Sequence, residues 1–147
     1  MTTPALQFNK FEMKSNVSDR TVDLRGNGNP IIHYRESVFM PYIEITAYIV
    51  DTGNTLPADD GTDAGVGLLD DGFAQGTETI LFNIEDEKGN KINLSRDTDL
   101  RVSSVIGDYQ AFKNSSFQLK IVSKEAFDNT LLQNRCNQKF SGKISSI

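Results

Sequence analysis

The chain has no tryptophan, one cysteine, one histidine and four prolines in 147 residues. Each scarcity closes a route. With Cys136 alone, no intramolecular disulfide forms and no zinc site is built on cysteines, so this residue reads as a small buried apolar side chain. The lone His33 excludes any paired-histidine metal motif and reads as a structural strand residue. No Gly-x-Ser-x-Gly elbow and no phosphate-binding loop occurs. No stretch approaches the roughly 20 apolar residues that span a bilayer, and residues 1–14 hold no apolar run of the signal-peptide kind. A dense basic cluster is missing too. Lysine and arginine are scattered and the net charge is -5, a field that repels phosphate backbones. The expectation is a protein with no catalytic residue, no cofactor and no membrane association, made and kept in a reducing cytoplasm or an intracellular assembly.

What is present reads as one β-rich domain. Hydrophobic residues at 37% and charged residues at 24% are polar for a globular chain but clear of disorder, and 147 residues suffice for a core. Apolar residues alternate at period two, the mark of half-buried strands. Leu6 and Phe8, then Phe11 and Met13, predict an opening strand with a register shift near Asn9 and Lys10. Val22 and Leu24 predict a short strand ended by the turn at 26–30, and 31–37 resumes extended structure. The clearest strand runs from Tyr42 to Asp51, with Ile43, Ile45, Ala47 and Ile49 on one face and Tyr42, Glu44, Thr46 and Tyr48 on the other. Further strands are predicted at 77–85, 91–94, 101–105 and 117–122, the second following a tight turn at Glu87-Lys88-Gly89-Asn90. Ser123 is placed to cap a helix from Lys124 to about Asn134, where Phe127 and Leu131 share a face. A strand at 137–141 is expected after it. Such a set fits a mainly β fold, a small antiparallel barrel or sandwich with one packed α-helix.

Between two of these strands, residues 52–76 break all periodicity. Glycine and aspartate dominate, and the stretch reads as a mobile acidic loop. Its carboxylates invite a calcium reading, with Asp59, Asp60 and Asp63 as the nearest candidates. The EF-hand pattern fails, because Gly61 and Ala64 stand where a ligand and a glycine belong and Asp70 replaces the distal glutamate. No metal site is expected.

The carboxy-terminal third carries a resemblance. A strand in Ser116-Phe-Gln-Leu-Lys-Ile-Val, a helix begun by Ser-Lys-Glu and a final Phe-Ser-Gly-Lys-Ile resemble the first, tail-tube-like domain of the baseplate hub of T4-like contractile-tailed bacteriophages. The strand at 42–50 leading through a long loop to a second strand at 77 also suits that domain. The resemblance implies a structural virion protein of the tail baseplate, assembled in the host cytoplasm. It implies a trimeric or hexameric ring that meets tube and spike proteins and lets DNA pass its lumen without specific binding. Residues 143–147 would then open a further element, and residues 1–147 form one tail-tube-like domain. The assembly contacts expected are Tyr42, Glu44, Thr46 and Tyr48 on the strand, with Leu56 and Phe73 in the loop. The alternatives are a ligand- or calcium-binding β-sandwich using the acidic loop and tyrosines, and an oligonucleotide-binding barrel, which the negative charge disfavours.

Overall fold

A computed structural model describes residues 6–16, 20–25, 30–52, 67–68, 75–111 and 114–132. They form eight strands and one helix. The strands are β1 (Gln7–Lys14), β2 (Thr21–Asp23), β3 (Ile31–Arg35), β4 (Glu44–Asp51), β5 (Thr79–Glu85), β6 (Lys91–Leu94), β7 (Leu100–Ala111) and β8 (Asn114–Ser123), and α1 (Lys124–Leu132) follows β8 directly. All pairings are antiparallel, in the order β2-β1-β5-β7-β8-β4-β3, with β6 also paired to β5.

The sheet bends where β5 changes neighbours. Only Thr79 and Ile80 of β5 pair with β7, while Phe82 to Glu85 pair with β6. One strand edge is thus shared between two partners, and the sheet folds there into two layers, β2-β1-β5-β6 and β7-β8-β4-β3. The end strands β2 and β3 are not paired with each other, so the sheet stays open rather than closing into a barrel.

Between the layers lies the core. Phe11 and Met13 of β1, Ile80 and Phe82 of β5, and Leu100 and Val102 of β7 are fully buried, as are Leu119 and Ile121 of β8 and Ile45 and Ala47 of β4. Phe82 sits among three rings. Phe11 meets it edge-on with centroids 5.9 Å apart, Phe8 meets it at 6.4 Å, and Tyr34 stacks on it at 6.3 Å with planes 8° apart. Because Tyr34 belongs to the far end of the strand order, this stack crosses from one layer to the other. Burial and the adjacent Glu36, whose carboxylate accepts the phenol hydrogen at 2.8 Å, push the Tyr34 hydroxyl up to about 12.

The register shift expected near Asn9 is a bulge between Phe8 and Lys10. It lets Phe8 and Phe11 both reach the core although they are three residues apart. Arg25 braces it: Nη1 donates to the carbonyls of Phe8 and Asn9 at 2.9 Å each, while Nε and Nη2 grip the Asp23 carboxylate. At the β5–β6 turn, Asp86 accepts from the amides of Lys88 and Asn90, and Gly89 takes a φ of 80°. Two buried carboxylates hold the ends of the segment joining β4 to β5. Asp51 accepts from the Leu68 amide at 2.6 Å, and Glu78 accepts from the amides of Gln75, Gly76 and Thr77.

Three expectations need adjusting. Strand β4 begins at Glu44, so Tyr42 precedes it. Strand β7 runs on to Ala111, well past Val105, because bulges at Val102/Ser104 and Gly107/Tyr109 disguise its alternation. Ser123 does not cap α1. It is still strand, its amide bonded to the Ile43 carbonyl, and its buried hydroxyl has no partner. The first helical amide, that of Lys124, donates instead to the Asp99 carbonyl at 3.0 Å. The strand expected at 137–141, the opening element at 143–147 and most of the acidic loop lie outside the described residues.

Two outcomes follow from this architecture. Phe82→Ala removes the ring that three others touch and is expected to cost about 3–5 kcal/mol in urea unfolding, whereas Ile31→Ala, on the surface, stays within about 0.5 kcal/mol. The Arg25 guanidinium also holds the Asp23 carboxyl below its ordinary range. A depressed folded-state pKa gives stability that is present above about pH 4 and lost as pH falls through the folded value. Between pH 6 and pH 3, Arg25→Met should therefore lose less stability than the parent chain, by under about 1 kcal/mol because the pair is partly exposed.

Candidate functional site

Strand β4 alternates cleanly. Ile45, Ala47, Ile49 and Asp51 point into the core, so Glu44, Thr46, Tyr48 and Val50 point outward. Register then fixes their neighbours. Across β3-β4-β8-β7, Ile31 pairs with Tyr48, Tyr48 with Gln118, and Gln118 with Ile106. Ile31 and Tyr48 therefore stand directly opposed, Ile106 lies in the same cross-strand row beyond Gln118, and Val50 is two positions along from Tyr48. Ile31 is 67% exposed, Val50 56%, Ile106 45% and Tyr48 44%.

Isolated exposed apolar side chains are ordinary on protein surfaces. The directly opposed pair Ile31 and Tyr48 is less so, since such residues have Cβ atoms only about 5 Å apart, and Val50 extends the pair along β4. The row lies next to β3, which pairs with β4 on one side and with no described strand on the other. Apolar face and open edge are thus adjacent, the combination that makes a strand available to another chain.

At its other end the same face is covered differently. Helix α1 packs on β7 and β8 and leaves a hollow of about 750 Å³ between itself and the sheet, lined in part by Tyr42, Glu44, Lys120, Val122 and Phe127. A second space of about 610 Å³ beside residues 36–43 shares Pro41, Tyr42 and Glu125 with it as lining residues. Here the turn Ser37–Met40 closes with the Met40 amide on the Ser37 carbonyl and holds Val38 and Phe39 almost fully in solvent.

The four strand residues expected as contacts therefore separate into two places. Tyr48 stands in the exposed row, with Thr46 half-buried next to it on β4, while Tyr42 and Glu44 line the hollow. Leu56 and Phe73 lie outside the described residues, as do Asp59, Asp60 and Asp63. Sequence reasoning missed Ile31, Val50 and Ile106. Val50 was available from the alternation of β4. Ile106 was not, because the bulge at Val102/Ser104 reverses which residues of β7 face outward.

His33 is exposed on β3 opposite Thr46. Among the described residues no group of three or more His, Cys, Asp or Glu side chains is arranged to hold a metal ion, and no helix is long and apolar enough to cross a membrane. Comparison with protein-family models, with curated proteins and with solved structures finds no match to this chain.

Proposed function

We propose that the chain is a structural assembly module that packs the outer face of β3-β4-β8-β7 against further copies of itself. The observation that carries this reading is the cross-strand pair of Ile31 and Tyr48, with Val50 beside it and Ile106 beyond Gln118, open to solvent. A β-layer gains most from such a face when another chain covers it, because covering it removes apolar area from water without disturbing the core. The setting is the one implied by the resemblance to baseplate hub domains of contractile-tailed phages: a ring between tail tube and central spike. The contact is heterologous, with the outer face of one subunit against a different surface of the next, as ring closure requires. The net charge of -5 suits a ring whose lumen lets DNA slide without sticking.

Light scattering over a wide concentration range tests the reading. The expected result is a trimer or hexamer at high concentration. The double variant Ile31→Lys/Tyr48→Lys should dissociate at least tenfold more readily, with an unchanged unfolding midpoint. A strict monomer at every concentration, or a variant that assembles as well as the parent chain, contradicts it.

A further inference from the structure

The exposed side chains around Ile31 and Tyr48 are few for a contact between subunits. A stable protein–protein contact buries about 800 Å² on each partner, and four partly exposed side chains fall short of that. The contact must therefore run further along the outer face of β3-β4-β8-β7. What it meets next on that face is the hollow beside α1. Register shows the continuity: Tyr48 pairs with Gln118, Thr46 with Lys120 one row on, and Glu44 with Val122 one row beyond that. Glu44, Lys120 and Val122 line the hollow. Its volume is about 750 Å³, within the range of about 300–1,000 Å³ that takes a sizeable apolar group, and Pro41, Tyr42, Val122, Ala126 and Phe127 give it an apolar wall.

A matching projection stands elsewhere on the same chain. Off the outer face, the large apolar side chains left in solvent among the described residues are Leu6, Val38 and Phe39. Leu6 is single. Val38 and Phe39 are consecutive, 96% and 93% exposed, at the tip of the turn Ser37–Met40. Two hydrogen bonds close that turn: the Met40 amide donates to the Ser37 carbonyl at 2.9 Å, and the Phe39 amide to the Ser37 hydroxyl at 3.3 Å. A turn already closed presents its tip with little further loss of freedom on binding. Apolar projection and apolar recess thus occupy two different places on one chain, the arrangement from which heterologous contacts are made.

We propose that the Ser37–Met40 turn of one copy docks in the hollow beside α1 of the next copy. The Phe39 ring enters between Tyr42, Val122 and Phe127, and Val38 stays at the rim. Covering an aromatic ring removes about 150–250 Å² from water, and a single aromatic anchor in a pocket commonly dominates the energy of a contact. This inference rests on the reading of the chain as a self-assembling module, and it names the surface of the neighbouring subunit that the outer face receives.

Sedimentation velocity on two single variants and on their mixture tests it. Phe39→Ser removes the projection and keeps the hollow, whereas Ala126→Trp fills the hollow and keeps the projection. Each alone should dissociate at least tenfold more readily than the parent chain, with an unchanged unfolding midpoint. Mixed in equal amounts, the two should form dimers and nothing larger, because each pair then holds one intact projection and one intact hollow. Should Ala126→Trp lower the midpoint, Phe39→Ser decides by itself, since its side chain lies in solvent. Assembly of Phe39→Ser equal to that of the parent chain overturns the proposal, as does a mixture of folded variants that stays monomeric. The reading beneath it fails in a different way. A parent chain that is monomeric at every concentration removes both, whereas a parent chain dissociated by Ile31→Lys/Tyr48→Lys but not by Phe39→Ser keeps the exposed face as a contact and removes the turn.

Discussion

The stack of Tyr34 on Phe82 is the contact on which the rest of the arrangement depends. These rings come from strands at opposite ends of the sheet order, and only a sheet folded over on itself brings them within 6.3 Å. Phe8 and Phe11 close around the same ring, the first placed there by a bulge that Arg25 holds open. Aromatic pairs of this kind add about 0.5–1.5 kcal/mol each beyond their buried area. Three around one ring make the junction of the two layers hard to shear.

Closing the fold this way has a consequence for the surface. Every strand of the β7-β8-β4-β3 layer has an inner face spent on the core and an outer face free for something else. Helix α1 covers only part of that outer face and makes a hollow where it does. The remainder leaves Ile31, Tyr48, Val50 and Ile106 open to solvent, with Gln118 between Tyr48 and Ile106. The polar groups that might have been lost at the margins are mostly satisfied locally. Glu78 gathers three backbone amides, and Asp51 takes that of Leu68. Three buried polar atoms among the described residues lack a hydrogen-bond partner: Asn83 Oδ1, Arg101 Nη1 and the Ser123 hydroxyl.

Much of the fold was legible because alternation is a local signal. Ile45, Ala47 and Ile49, or Phe117, Leu119 and Ile121, announce their inward face without reference to any other strand. Even the bulge at Phe8/Lys10 was visible, because apolar residues on both sides of it fall out of step. What stayed hidden was non-local. Which strand lies beside which, and therefore that Ile31 meets Tyr48, depends on a topology that alternation does not encode. The outward turn of Ile106 follows from a bulge among serines, where no apolar residue marks the change of step. The Ser123 cap misled for a related reason. A serine ahead of a helix reads as a cap, but here the strand persists through it and the Asp99 carbonyl, distant in sequence, takes the first helical amide.

The inner face of the two-layered β fold closes on Phe82, and the outer face of the β7-β8-β4-β3 layer is the surface proposed to meet another chain. Hydroxyl-radical labelling of the tyrosines at low and high protein concentration tests this arrangement most directly, because Tyr34 and Tyr48 report on the two faces. The account predicts that Tyr48 labels readily in dilute solution and loses most of its reactivity on concentration, while Tyr34 labels poorly throughout. Tyr48 labelling that does not change with concentration, or Tyr34 labelling as strong as that of Tyr48 in dilute solution, would contradict it.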